Sequence, residues 1–345
     1  MSTVLDCSMG EGGGSIVRIS VALAAASNFP LNLINIRSNR SNPGLRAQHL
    51  ESINALRQLS DFEITGAELG SEEVFIHQYG KRRNEATVRI NTAGSISLVA
   101  QAVEYYALNE ETAIILNIQG GATHGKWAPS VEFITNITFK ILEKMNKIIN
   151  VKIDKHGFFP KGGAQSRFMF HPHDKILPLN LTEKGVLEEI HVFSTTSSHL
   201  KKRSVAERQL DSFVKLAKSS VDTVHHINYV DSVSPGTGLT VVNKYSEGAS
   251  KGCFVQGEKS LTAENVGKMC WKQWKNLEQN SAAVDIYTAD QLIVPMALAE
   301  GSSAITTARL TNHTKTNIEL IQKFTQAIFS VNKENGHYLI SVKQP

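Results

Sequence analysis

The chain has 345 residues, 41% of them hydrophobic and 20% charged, with a formal net charge of +4. These values exclude a disordered or low-complexity polymer and suit a soluble chain of two domains, since single cores stop growing at about 250–300 residues. No apolar run approaches the roughly 20 residues of a membrane span, no signal-peptide pattern opens the chain, and the spread-out charge is compatible with a polyanionic substrate without requiring one.

The glycine-rich turn GEGGGS (Gly10–Ser15) feeds a helix that is apolar on nearly every side, which predicts a buried helix. Arg18 lies on its second turn, and a charge buried there needs a carboxylate or a phosphate as partner. The glycines let backbone N–H groups approach an anion at a helix start. Glu11 among them would repel phosphate unless a divalent cation lay between, so Glu11 is a candidate metal ligand. A strand (Pro30–Ile36), a basic loop (Arg37–Arg46) and a helix (about Leu45–Leu59) follow. Arg37, Arg40 and Arg46 crowd into ten residues ahead of Gln48 and His49 at the helix start. Judged alone, the cluster reads equally well as a solvated basic loop or a phosphate site.

The order then recurs. The turn NTAGS (Asn91–Ser95) opens an apolar helix through Tyr106 with one internal polar residue, Gln101. A strand (Ala113–Ile118), a glycine-rich loop (Gln119–Ser130) and an amphipathic helix (Val131–Met145) follow. The shared layout predicts a structural repeat. In it Glu11, the Ser95–Gln101 turn of helix and Asp290–Gln291 hold equivalent places, as do the arginine loop, the His124 loop and the His313 loop. HGFFPKGGAQ (His156–Gln165) is a Pro/Gly turn between strands, and its Lys161 reads as a turn residue before a phosphate contact. From about Glu188 the texture changes: a strand (Glu189–Thr196), a helix (Ser204–Lys218), strand-like runs at Thr223–Val230 and Leu239–Tyr245, the segment KGCFVQGEK, and a helix (Thr262–Leu277). These suffice for a small α/β layer inserted among the repeated units.

The stretch Tyr287–Phe324 closes the order. Thr288 and Gln291 have capping-box spacing, Pro295 predicts a kink, Gly301 ends the helix, and Ala304–Leu310 has strand composition. The loop Thr311–Thr316 then delivers His313 ahead of a helix carrying Leu320, Ile321, Phe324 and Ile328 on one face. Reactive side chains are often displayed at such junctions, although a lone histidine there reads first as a surface residue. GGATHGKW (Gly120–Trp127) mimics a phosphate-binding P-loop, but Trp127 stands in the metal position and Pro129 delays the helix. GEGGGS lacks the third glycine and the distant acid of a dinucleotide-binding turn. Cys7, Cys253 and Cys270 show no metal-ligand spacing, so reduced thiols in a cytoplasmic protein are expected.

The blocks GEGGGSIVR, NIRSNRSNPGLRAQHL, TAGSISLVAQ, HGFFPKGGA, SKGCF, TADQLIVPMALAEG and NHTKTN, in that order, resemble RNA 3′-terminal phosphate cyclases along essentially the whole chain. The resemblance implies an α/β (α+β) fold. Its large domain, over 1–185 and 280–345, has three repeated two-helix/sheet units like the C-terminal domain of translation initiation factor three; a small α/β domain is inserted over 186–279. It implies an ATP-dependent, AMP-forming enzyme of the ligase class that processes RNA. A histidine attacks the α-phosphate of ATP, the AMP passes to the 3′-phosphate end of an RNA, and the 2′-hydroxyl closes a 2′,3′-cyclic phosphate and expels AMP. By motif matching the nucleophile is His313, in the pattern H-x-x-T-N, and the metal-side glutamate is Glu11, with Mg²⁺ or Mn²⁺. Arg18, Arg40, Gln101, Pro129, Phe254, Asp290 and Gln291 match ATP-contacting positions. Arg37, Arg46, Gln48 and His49 match the block around the RNA end. The implied partner is RNA with a 3′-phosphate, with no membrane; a homodimer is compatible.

The sequence departs from the family pattern at Cys7, Asn91, Ala164 and Ser130, none of which removes a catalytic group. Two alternatives stand beside this reading. A cyclase-like branch serves ribosomal RNA maturation without catalysis, but it characteristically lacks the histidine that His313 supplies. An enolpyruvyl transferase would need six repeats and a longer chain.

Overall fold

A computed structural model describes residues 3–218, 221–334 and 336–344. The architecture is mixed α/β and contains four four-stranded sheets among the described residues. In spatial order the first sheet holds Thr3–Asp6, Leu31–Ile34, Val74–Tyr79 and Phe62–Thr65. The second holds Glu85–Ser95, Ile114–Ala122, Gln165–Phe170 and Ile149–Lys155. The third holds Asn180–Leu181, Ser303–Thr307, His337–Lys343 and Ile328–Glu334.

These three sheets share one pattern: a parallel first pair, then two antiparallel neighbours. Parallel neighbours need a crossover. In each sheet a buried helix provides it: Gly14–Ser27, Ile96–Ala107 and Ile286–Leu298. A second helix follows the second strand: Ala47–Ser60; a run formed by Val131–Phe133, a π-turn at Ile134–Thr138 and Phe139–Lys144; and Asn312–Ile321. The Ala- and Val-rich crossover helix Gly14–Ser27 packs on both Ile96–Ala107 and Asn312–Ile321, which explains why it is apolar all round.

The fourth sheet, between Leu187 and Gln256, runs Thr223–Val230, Leu187–Ser197, Thr237–Tyr245, Ser250–Gln256. The helices Val205–Ala217 and Ala263–Glu278 pack with it around a separate core that includes Phe213, Val241, Val266 and Trp274. Among the described residues no helix is long and apolar enough to cross a membrane. All three cysteines are free and buried.

Several local expectations are corrected. NTAGS is not a turn: strand Glu85–Ser95 runs through it, and Ser95 then caps the helix by accepting from the Leu98 N–H. The cap of Ile286–Leu298 is Asp285, whose carboxylate takes the N–H groups of Tyr287 and Thr288. Thr288 lies inside that helix. The last helix stops at Ile321, because the Thr325 hydroxyl donates to the Ile321 carbonyl and accepts from Ala327 N–H. Ile328 therefore begins a strand.

Candidate active site

The three sheet-and-helix sets converge on a cleft of about 640 Å³. Each crossover helix presents one face to it: Ser15 and Arg18 from the first, Ser97, Gln101 and Tyr105 from the second, Tyr287, Asp290 and Gln291 from the third. Each second helix presents its beginning: Arg46, Gln48 and His49; Ala128 and Pro129; His313 and Asn317. Helix N-termini carry unpaired N–H groups and the positive dipole end, so three of them around one cleft favour an anion. The loop residues Arg37 and Arg40 join them, and Phe254 and Gln273 close the side next to the fourth sheet. Twelve of the thirteen residues expected from the sequence line this space, and the thirteenth, Glu11, reaches its edge.

His313 is not a loop residue. Thr311 caps Asn312–Ile321 by accepting from Thr314 N–H at 2.9 Å, which puts His313 in the first turn of the helix. Asp290 anchors that turn: its carboxylate accepts from the hydroxyls of Thr311, at 2.8 Å, and Thr314, and its carbonyl accepts from the Asn317 amide. Burial pushes the Asp290 carboxyl up, against the downward pull of those hydroxyls. The His313 ring faces Glu11, with Nε2 at 3.0 Å from Oε2. Arg40 Nη2 lies 3.3 Å from the same oxygen.

The glycine-rich turn is pressed tightly against these groups. A side chain at Gly13 would stand 3.4 Å from both Arg40 Nη2 and His313 Cε1, and one at Gly14 would stand 2.1 Å from His49 Nε2. Gly10 has a left-handed φ of +55° and would put a Cβ 1.9 Å from Thr316 Oγ1.

Deeper in the cleft Arg18 is 8% exposed and ion-pairs with no carboxylate among the described residues; its Nε has no partner. Burial holds its guanidinium down at about 10. His49 accepts the Arg46 N–H on Nδ1 at 3.1 Å, so its proton sits on Nε2. Burial, reinforced by Arg18, Arg37 and Arg46, drives its pKa to about 3 and keeps it neutral. Arg37 spends Nη1 on the carbonyls of Asn42 and Gly44, and thus shapes the basic loop from within. Gln291 accepts from Thr138 in the π-turn and donates to Tyr287 O.

Other expected candidates lie elsewhere. His124 is fully buried, 2.9 Å from Glu132 Oε2 and 2.9 Å from Thr123 Oγ1, and does not line the cleft. Lys161 does not line it either. Tyr105 was not expected, although it stands four residues after Gln101 and shares its helix face; Asn317, the last residue of the H-x-x-T-N pattern, stands in the same relation to His313 and also lines the cleft.

The donor set tests what the cleft would hold. Four buried polar atoms lining it have no protein partner among the described residues: Ser15 Oγ, Arg18 Nε, Ser97 Oγ and Asn317 Oδ1. Buried polar groups are normally paired, so such a set fits a polar, anionic ligand. No group of three or more metal-ligating side chains occurs among the described residues. One carboxylate suffices for a Mg²⁺-type ion that keeps phosphate and water ligands. Glu11 fits that role, because its Oε1 takes no protein hydrogen bond among the described residues while Oε2 holds His313 and Arg40.

Comparison with known proteins finds relatives over nearly the whole chain. The family model described as RNA 3′-terminal phosphate cyclase matches residues 9–331. A protein of Methanococcoides burtonii with that name is 35% identical over 344 residues, covering 98% of this chain and 99% of its own. Like-named proteins of Pyrococcus abyssi (34%, covering 96% of each chain) and Pyrobaculum aerophilum (32%, covering 99% of this chain and 98% of its own) match similarly. A match running from the glycine-rich turn past the last helix leaves one assignment: the chain belongs to the RNA 3′-terminal phosphate cyclase family.

Proposed function

We propose that the protein converts an RNA 3′-phosphate end to a 2′,3′-cyclic phosphodiester at the expense of ATP, with His313 as the nucleophile. The observation that carries this reading is the position of His313. It stands at the start of a helix, held by Glu11, over a cleft whose buried cation Arg18 has no counter-ion among the described residues. Three events follow in order. An imidazole nitrogen forms a bond to the α-phosphorus of ATP while the bond to the bridging oxygen breaks, and pyrophosphate leaves with that electron pair. An oxygen of the RNA 3′-phosphate then attacks the same phosphorus, and the N–P electron pair returns to the ring. Finally the 2′-hydroxyl oxygen attacks the RNA phosphorus, loses its proton to water, and expels AMP.

The side chains divide this work. Arg18 and Arg40 neutralise the transferring phosphate, and neutral His49 offers its Nε2–H to a phosphate oxygen. Arg37 and Arg46, with Gln48, present the RNA end. Pro129 and Phe254 supply apolar walls for the base, while Gln101, Asp290 and Gln291 line the nucleotide side. Glu11 orients the imidazole and, with nucleotide phosphate oxygens, would hold Mg²⁺ or Mn²⁺, which lowers the phosphate charge when bound. The three alike sheets are read here as three repeats of the kind found in the C-terminal domain of translation initiation factor three. Residues 1–185 and 280–345 form that large domain, and 186–279 the inserted one. Cytoplasmic RNA is the setting that fits this chemistry.

The test is incubation with α-labelled ATP and Mg²⁺, without RNA, followed by a denaturing gel. The protein band should carry label that is lost in acid and survives alkali, as a phosphoramidate does. An unlabelled band overturns the reading.

A further inference from the structure

A second depression of about 500 Å³ lies outside the cleft, between helix Ala47–Ser60 and strand Glu85–Ser95. The periodicities of the two elements build its walls. Thr87, Arg89 and Asn91 alternate outward along the strand, while Ala86, Val88 and Ile90 are buried. Glu51, Asn54, Arg57 and Asp61 follow one face of the helix and its cap. Gln58 ties the walls together: its Nε2 donates to Thr87 O and its Oε1 accepts from Thr87 N, both at 2.9 Å.

The depression begins close to the cleft, although the two share no lining residue. Gln48 lines the cleft and Glu51 lines the depression one helical turn later. A side chain on Gly94, at the cleft end of the strand, would come 3.4 Å from Gln48 Cβ. From Gln48 to Asp61 the helix leads about 20 Å away from the cleft at 1.5 Å per residue.

The charges along this path are unevenly satisfied. Arg57 and Arg89 form no ion pair among the described residues, and Arg83 has only Asp61, at 3.9 Å with both side chains well exposed. Glu51 is half-buried and is turned toward Asn54 and the Arg89 backbone N–H. The unpaired Arg57 and Arg89 and the loosely paired Arg83 therefore line one depression, with amide and carboxylate acceptors among them.

From this adjacency we infer that the groove between Ala47–Ser60 and Glu85–Ser95 carries the single-stranded RNA upstream of the reactive end, Arg89, Arg57 and Arg83 contacting successive phosphates. The inference rests on the proposed function and extends it to the strand beyond the terminal nucleotide. Phosphate contacts make binding depend on strand length and salt while leaving base sequence unread. The acceptors between the arginines suit 2′-hydroxyls, which distinguish RNA from DNA.

The test compares a fluorescent 3′-phosphorylated dinucleotide with a ten-nucleotide RNA by anisotropy, which needs no turnover, and reads AMP labelling in the same samples. The wild type should bind the longer RNA at least about tenfold more tightly. The double variant Arg57→Glu/Arg89→Glu should lose that advantage and flatten its salt dependence, while the dinucleotide and AMP labelling are unchanged. Arg57→Ala/Arg89→Ala should show the same loss in smaller measure and stands in if the charge reversals unfold the protein. An advantage for the longer RNA that survives in the variants, or a wild type indifferent to length, overturns the groove. Absent AMP labelling with an arginine-dependent length effect would instead overturn the chemistry and keep the groove.

Discussion

Glu11 Oε2 holds both His313 Nε2, at 3.0 Å, and Arg40 Nη2, at 3.3 Å. One oxygen thereby fixes the ring of the proposed nucleophile and the cation that would meet the phosphate. Glu11→Gln keeps an acceptor of the same shape but removes the charge. Protein–AMP formation should slow by about a hundredfold with little change in thermal midpoint. Labelling of the Glu11 variant that is unchanged across a Mg²⁺ titration would remove the residue from the metal-binding role.

His313→Asn should abolish AMP labelling, because an amide has no nucleophilic lone pair. The side chain is half-exposed in a first helical turn, so stability should shift by less than about 0.5 kcal/mol. Supplied with pre-adenylated RNA, the same variant should still form the cyclic phosphate, since that step needs only the 2′-hydroxyl and a positioned linkage. Chromatography of the RNA product reads this directly.

Gly238→Ala probes the apolar wall. The new Cβ would lie 2.7 Å from Phe254 Cε2 and 2.8 Å from His124 Cδ2. His124 is held by Glu132 and Thr123, so Phe254, which lines the cleft, is the side chain expected to shift. The KM for ATP should rise severalfold while kcat falls less, at a stability cost of about 1–3 kcal/mol. Steady-state kinetics with ATP varied would show no such split if Phe254 does not meet the nucleotide.

His49 makes stability depend on pH. Burial and the neighbouring arginines lower its folded pKa from the ordinary 6.5 to about 3, so the unfolded chain binds the extra proton in that interval. Its contribution is fully present above about pH 6.5 and is lost as pH falls toward 3, at up to about 1.4 kcal/mol per pH unit. Thermal unfolding between pH 6.5 and 4 should therefore fall less steeply in His49→Gln than in the wild type. Parallel curves would contradict the buried, neutral imidazole.

On the proposed reading, the arginines of the basic loop recognise a terminal phosphate. Guanidinium groups match phosphate oxygens in bidentate fashion. RNA ending in a 3′-phosphate should be processed and RNA ending in a 3′-hydroxyl should not, with affinity falling as salt rises. Equal conversion of both ends would refute this.

The site was more legible than the scaffold around it. Clustered arginines and a histidine beside a polar loop leave chemical marks in a sequence, and Arg37, Arg40, Arg46 and His313 all line the cleft, with Gly14 beside them. The strands were harder. Asn180–Leu181 is two residues long and carries no periodicity, and Thr3–Asp6 and Phe62–Thr65 have four each. Val74–Tyr79 is defined by its pairing with strands on both sides, a tertiary fact. Asp285 escaped notice as a cap because Thr288, three residues later, has the same chemistry and better spacing to Gln291. Trp127 read only as an obstacle to a P-loop; it is 93% exposed, with a left-handed φ of 58°, at the lip of the cleft.

The third sheet sets the order in which this chain can be completed as it leaves the ribosome. The first two sheets close entirely from residues up to Phe170. Leu179, beside the third sheet's first strand, finds its hydroxyl acceptor on Ser303, 124 residues later. Ala304 pairs with Asn180 in the same place. Until that partner emerges, Asn180–Leu181 lacks its strand neighbour, while the segment between has a core of its own on which to collapse. The helix that carries His313 follows Ser303–Thr307 in the chain, so the His313 side of the cleft is assembled only after the other two sheets have their full complement of strands.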